Sequence, residues 1–444
     1  MKDLTRGSTP KLIFNFAIPM LLGNLFQQLY QIVDTIIVGN ILGKEALAAV
    51  GASSPIVFVL ISLVVGVTSG FTIVIAQYYG AGQLENIRKT KDTMNLVVVV
   101  SSLVISAISL VSSRVLFQLM NIPEEILDMA ISYFNIYVSG IVFIFVFHSS
   151  ASMLRGLGDS VTPLRFLIFS CCANILLDLL FIVGFGWGVE GAAWATIIAQ
   201  CMVTIGLLLY MGKTKPLIGF NMTHPKFNLQ SFKTSVNIGL PTGIQQTSVA
   251  LSSMVLMGLV ALFGTDSLAA YTAAGRIESL ALMPAMSFGA ALSAFTGQNL
   301  GAKRPHRVRQ GLRATLTISS LVAIGCSLIM VLFGKTIMIA FATQAETEVI
   351  HQGAQYLWIT GAGYLLFSTM FCLMGVMRGA GDTFTLMLIT FSTQIIVRVP
   401  LAWFLSRFMG PTGIWCSIPL SWGIGCLSMF VYYRTGRWKE KVII

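Results

Sequence analysis

The chain has 444 residues, of which 55% are hydrophobic and only 10% charged. A soluble domain carries about 25% charged residues, so a soluble globular protein is excluded, and the apolar excess excludes intrinsic disorder. The 28 Lys and Arg outweigh 17 Asp and Glu, giving a net charge of +11. That surplus suits either nucleic acid or loops facing anionic lipid, and position along the chain decides between them.

A helix that crosses the hydrocarbon core needs about 20 mostly apolar residues. In chain order such runs occupy 12–38, 46–78, 94–118, 126–154, 163–185 and 188–211. Six more follow at 235–263, 267–299, 311–340, 350–377, 384–406 and 411–433. They are too long for barrel strands and do not alternate with period two. The first run has a polar face and no small-residue cleavage site after it, so it reads as a span and not a signal peptide. With the N-terminus inside, the inner segments hold 22 of the 28 basic residues. The outer segments hold Lys44, Arg114, Lys335 and Arg407, while Arg276 and Arg398 fall within spans. The surplus is therefore an orientation signal. Both termini are expected in the cytoplasm, and nucleic acid is not an expected partner. The seven Cys lie in apolar runs without metal-ligand spacing and read as packing residues, so no metal is expected.

The two halves repeat at an offset of 221 to 223 residues. Pro19 matches Pro241, and Gln77, Gly80 and Ala81 match Gln298, Gly301 and Ala302. Arg155-Gly156-Leu157-Gly158-Asp159 matches Arg378-Gly379-Ala380-Gly381-Asp382. Several matches in one order mark an internal duplication. Each half holds six spans, so both begin on the same side and the repeat is parallel. The expected fold is an all-α membrane protein: twelve transmembrane helices in two six-helix bundles related by a parallel internal repeat. The lobes are taken as 1–220 and 221–444, joined by a solvated connector over 212–234 that carries Lys213, Lys215, Pro216, Pro225 and Lys226. This layout suits rocking of one bundle against the other.

Ionisable side chains at membrane depth cost at least about 2.5–3.5 kcal/mol each, so they point to function. On the first span Asn24, Gln27, Gln31 and Asp34 follow spacings of 3, 4 and 3 and share one stripe, with Tyr30 beside it. Such a stripe either lines an aqueous cavity or bonds neighbouring helices. Ser170, Asn174 and Asp178 share one face of the fifth span, and Thr196 on the sixth can add an oxygen. An acid beside an amide oxygen can hold a cation or a proton, and its affinity changes with hydration. The second half differs. Leu256 replaces Asp34, and Thr390, Gln394 and Arg398 form a cationic stripe. Gln245 and Gln246 on the seventh span can hydrogen-bond but not titrate, and with Arg398 they are read as cavity-lining. With Leu256 and the Arg398 stripe in these places, the anionic sites are assigned to the first half; Arg276 and Glu278, two apart, point to different faces of the eighth helix. Pro19 lies 15 residues before Asp34, and a proline frees a carbonyl and permits a bend there. Phosphate-loop, hydrolase-elbow and zinc-helix motifs are absent from the sequence, so neither catalysis nor an ATP-driven pump is expected.

With twelve spans in two halves, Pro19, Asp34, Gln77-Tyr78-Tyr79-Gly80-Ala81 and the duplicated Arg-Gly-x-Gly-Asp, the chain resembles the multidrug and toxic compound extrusion (MATE) transporters along nearly its whole length. Asp34 with Asn174 and Asp178 is similar to the branch named after DNA-damage-inducible protein F. Gln245 and Gln246 stand where another branch carries an acid. The resemblance implies V-shaped lobes around a central cavity and cation-coupled efflux of organic, often cationic and amphipathic, compounds from a bacterial cytoplasmic membrane. It further implies a coupling-ion site of Asp34, Asn174, Asp178 and Thr196, with H⁺ or Na⁺ as the ion and no other cofactor, and a bend at Pro19. The expected partners are small organic substrates and membrane lipid, and one chain can form the whole pathway without a protein partner. The alternative of related architecture is a flippase for lipid or lipid-linked oligosaccharide, which would want more cavity-facing Arg and Lys than Arg276 and Arg398. A channel or a non-transporting receptor fits the duplication less well.

Overall fold

The computed structural model of the protein describes residues 3–120, 122–215, 218–219, 226–341 and 347–443. Pro216 and Pro225 of the expected connector lie outside the described residues. The first half contains α1 (Thr9–Ile37), α2 (Lys44–Gly80), α3 (Leu84–Leu119), α4 (Glu124–Ser139), α5 (Ile141–Gly156), α6 (Val161–Asp178) and α7 (Gly188–Thr214). The second contains α8 (Leu229–Ala261), α9 (Thr265–Gly301), α10 (Pro305–Phe341), α11 (Thr347–Ala362), α12 (Tyr364–Ala380), α13 (Thr383–Phe391), α14 (Arg398–Met409) and α15 (Pro411–Thr435). No strand occurs among the described residues. Ten helical runs are long and apolar enough to cross a membrane, and counting two bent pairs as one span each brings the number to twelve.

Those bent pairs are the expected fourth and tenth spans. The α4–α5 pair bends by 48° at Gly140, and α11–α12 by 49° at Gly363. Each glycine sits where another helix comes close. A Cβ on Gly140 would lie 2.3 Å from Ile197 of α7, and one on Gly363 would lie 2.6 Å from Pro419 of α15. The fifth and eleventh spans share a different device. A π-helical turn, Leu179–Gly184, follows Asp178, and another, Ser392–Val397, precedes Arg398. Such wide turns inside helices often mark functional positions.

Asp3–Leu21 and Leu240–Ile444 form one compact unit, and Leu22–Gly239 forms the other. The expected lobes met at 220/221; by packing, each unit takes up the leading segment of the other half. Hydrogen bonds give the reason. Gln298 Oε1 accepts from Leu4 N (3.0 Å), Asn299 Nδ2 donates to the Leu4 carbonyl (3.2 Å), and Arg304 donates to the Thr5 carbonyl (2.8 Å). In the other unit Lys91 donates to the Gly219 carbonyl (3.1 Å) and Thr93 Oγ1 accepts from Asn228 N (3.0 Å). The start of α8 then lies so close to α2 that a Cβ on Gly70 would sit 2.0 Å from the Ser235 carbonyl. One unit changes to the other after Leu21 in α1 and after Gly239 in α8, so both changes fall within two residues of a proline, Pro19 or Pro241.

The duplicated Arg-Gly-x-Gly-Asp has a structural meaning at each position. A Cβ on Gly156 would lie 2.9 Å from the Thr72 carbonyl, and one on Gly379 would lie 2.4 Å from the Ser293 carbonyl. These glycines let α5 and α12 press against α2 and α9. Gly158 and Gly381 adopt φ of +80° and +95°, a left-handed conformation that a side chain disfavours. Asp159 Oδ1 then accepts from Thr162 N at the start of α6 (3.0 Å), a capping interaction. Its carboxyl also pairs with Lys215. Burial works against the charge on Asp159, but Lys215 and the bonds from Thr162 outweigh it and hold the group below the usual carboxylate range. Asp382 has a different partner and accepts from Tyr432 Oη (2.6 Å).

Gly379→Ala is expected to destabilise the protein by about 1–3 kcal/mol, because its Cβ meets backbone that cannot yield cheaply. A Cβ on Gly258 in α8 meets nothing within 4 Å, so Gly258→Ala should be neutral or slightly stabilising. Thermal unfolding in detergent compares the two, and equal melting temperatures would contradict this packing account.

Candidate ion-coupling site

The polar stripe of α1 reaches its end at Asp34, which is half-buried, while Asn24, Gln27 and Gln31 are exposed. Tyr30, one turn earlier, is half-buried and lies near Thr196. Asn174 and Asp178 of α6 are 3% and 0% exposed. Asp34 and Asp178 lie close enough to interact electrostatically. Two carboxylates so placed repel, and a proton or a cation between them relieves that repulsion. One oxygen of each, Asp34 Oδ1 and Asp178 Oδ1, is buried without a hydrogen-bond partner.

The amide of Asn174 links this pair to α7. It lies 2.7 Å from Asp178 Oδ2 on one side and 3.2 Å from Thr196 Oγ1 on the other. Thr196 in turn donates to the Ala192 carbonyl (3.1 Å). With Asp178 ionised, the Asn174 NH₂ must face it. In that orientation the Asn174 carbonyl accepts from Thr196 N and Oγ1 (both 3.2 Å). The four residues read from the sequence as one site are thus brought together by α1, α6 and α7. The sequence reading missed Tyr133 and Tyr137 of α4, which lie close enough to Asp34 to feel its charge. Their rings stack with centroids 6.3 Å apart. The only signal for them was two tyrosines spaced i, i+4 on an apolar helix.

The equivalent place in the second unit is also polar but differently charged. Gln245 is 4% and Arg398 7% exposed, so both are buried in side-chain networks, whereas Gln246 is half-buried. Gln245 Nε2 donates to Thr390 Oγ1 (2.8 Å), and its Oε1 accepts from Arg378 (3.0 Å). Arg398 donates to Gln394 Oε1 (2.8 Å), and its Nε is buried without a partner. Leu256, which replaces Asp34, is fully buried in the apolar core. The second half does hold one acid that the sequence reading set aside. Glu278 Oε2 accepts from Tyr356 Oη at 2.6 Å, Arg398 is within electrostatic reach, and Glu278 Oε1 is buried without a partner. Reading Glu278 only against Arg276, two residues away and exposed, hid its partner on α11.

Comparisons with known proteins agree with this architecture. The MatE family model matches twice, over residues 19–180 and 241–404, and each match begins at one of the two prolines. The chain belongs to the MatE family, an integral-membrane transporter family. It is 30% identical to a probable multidrug resistance protein YpnP of Bacillus subtilis, with 98% of this chain and 97% of that one covered. It is also 30% identical to a probable multidrug resistance protein YoeA of the same organism, over 96% of this chain and 94% of the other. A crystal structure of MATE in complex with MaL6 shares the fold, with a TM-score of 0.93 at 23% identity over 99% of this chain and 98% of that one.

Tyr356→Phe removes the donor to Glu278 and leaves a buried carboxylate oxygen unpaired. It is expected to cost about 1–3 kcal/mol of stability. Thermal unfolding measures this, and an unchanged melting temperature would show that the Tyr356–Glu278 bond contributes nothing net.

Proposed function

We propose that the protein is a cation-coupled antiporter that exports organic, often cationic and amphipathic, compounds by alternating access. The observation that carries the reading is that Asp34 and Asp178 lie close enough to interact while one oxygen of each is buried without a partner, so a proton or a cation between them relieves their repulsion. H⁺ is the favoured coupling ion, and Na⁺ bound between the same oxygens is the other candidate. Relatives named as multidrug resistance proteins over nearly their whole length support the substrate class. The acid pair confined to one half supports the branch named after DNA-damage-inducible protein F.

The chemistry follows from the residues. A proton from outside loads onto Asp34 or Asp178 and converts two repelling carboxylates into a hydrogen-bonded pair. Asn174 keeps its NH₂ on Asp178 and its carbonyl on Thr196, which holds Asp178 in place for that bond. This draws α1 toward α6 and α7 and favours release of the bound compound. Loss of the proton to the cytoplasm restores the repulsion. Pro19 is the proposed hinge, because one packing unit gives way to the other two residues beyond it. The two packing units, Leu22–Gly239 and Asp3–Leu21 with Leu240–Ile444, move against each other, in a bacterial cytoplasmic membrane with both termini in the cytoplasm. One chain suffices, without cofactor or protein partner.

The test is efflux of a fluorescent organic cation from proteoliposomes under an imposed pH or Na⁺ gradient. Wild type should respond to the pH gradient, and Asp34→Asn and Asp178→Asn should fall to the leak rate of protein-free liposomes. Full gradient-driven transport in both variants would overturn the coupling site. Movement of headgroup-labelled lipid in place of the dye would favour the flippase alternative.

A further inference from the structure

The N-terminal strap and the first turns of α10 form an open surface cavity of about 430 Å³, lined by residues that include Ser8, Pro10, Arg307, Gln310, Arg313 and Ala314. No acidic side chain lines it. The nearest acid of the strap, Asp3, is already engaged by Thr5 and by Arg6. Arg307 is held in place from two sides: its Nε donates to Asn299 Oδ1 (3.1 Å), and one Nη donates to the Gly7 carbonyl (3.0 Å). Its guanidinium is thus fixed at the cavity wall before any ligand arrives. Arg313 is exposed, and Lys303, Arg304 and Arg309 surround the same turn of the chain. Such a basic cavity suits a phosphate, which guanidinium groups bind through paired N–H donors.

The cavity walls then continue as apolar surface. Phe14 stands one helical turn beyond Pro10 on the same face of α1 and is 46% exposed. On α10, Leu321 stands two turns beyond Ala314, again on the same face, and is 66% exposed. Charge at the mouth of a span with exposed hydrocarbon along the same two faces is the pattern of a phospholipid: headgroup above, acyl chains below. We propose that this cavity binds the phosphate headgroup of an anionic phospholipid from the leaflet on the basic side of the protein. Basic pockets among spanning helices on that side are known to take anionic headgroups. A free phosphate shares the headgroup chemistry but would make no use of the apolar faces.

The test uses the full-length protein purified in detergent, titrated with phosphatidylglycerol, phosphatidylcholine or inorganic phosphate. Bound lipid is counted by native mass spectrometry, and stability is followed by thermal unfolding. Arg313→Gln removes one cation, and Gln310→Glu adds a charge to the cavity wall while leaving both arginines in place. Wild type should retain phosphatidylglycerol in preference to phosphatidylcholine and melt at a higher temperature with it. Each variant should weaken the tightest phosphatidylglycerol by about fivefold, the worth of one charge near a membrane surface. Wild-type and variant proteins that retain phosphatidylglycerol equally would overturn the site. Equal stabilisation by inorganic phosphate would overturn its assignment to a lipid.

Discussion

A carboxyl group in hydrocarbon is tolerated only if something neutralises it, and that constraint shapes this protein. Asp34 and Asp178 come from different helices and lie close enough to interact. Among the described residues neither has a salt-bridge partner. Their environment offers tyrosines, an amide and a threonine, all of which hydrogen-bond without carrying charge. A proton or a bound cation is then what makes the contact favourable. The packing around the pair serves this: the close approach of α4 and α5 to α7 depends on glycine at the bend, and the π-helical turn begins directly after Asp178.

The internal duplication shows what the constraint does when the charge is reversed. Near the place that Asn174 and Asp178 hold in the first half, the second carries Thr390, Gln394 and Arg398. There the acid gives way to a base, and the position of Asp34 is taken by a buried leucine. Arg398 is then bonded to Gln394 inside the unit and faces Glu278, which Tyr356 holds. A π-helical turn thus lies beside an acid pair in one half and beside a mixed-charge network in the other.

Much of this was legible from the sequence, for physical reasons. Twelve spans follow from apolar run length, and the parallel repeat from the duplicated Arg-Gly-x-Gly-Asp. Asp34, Asn174, Asp178 and Thr196 stand out in the sequence because polar residues in hydrocarbon are costly and helical spacing puts them on shared faces. What was hidden depends on contacts between distant segments. The strap Asp3–Leu21 packs with the second unit because Gln298, Asn299 and Arg304 hold it, and no local pattern reveals that. Tyr133 and Tyr137 look like ordinary aromatic residues until α4 is placed beside α1. Glu278 was misread because its partner lies 78 residues away on α11. The bends at Gly140 and Gly363 were invisible for the same reason, since their cause is a neighbouring helix.

The central claim is that Asp34 and Asp178 share one proton. Infrared difference spectroscopy of the reconstituted protein observes it directly, through the carbonyl stretch of a protonated carboxyl group. The account predicts one such band that responds to pH and disappears in both Asp34→Asn and Asp178→Asn, since either substitution supplies an amide in place of the shared proton. A band that survives unchanged in both variants, or the absence of any protonated carboxyl in the wild type, would contradict it.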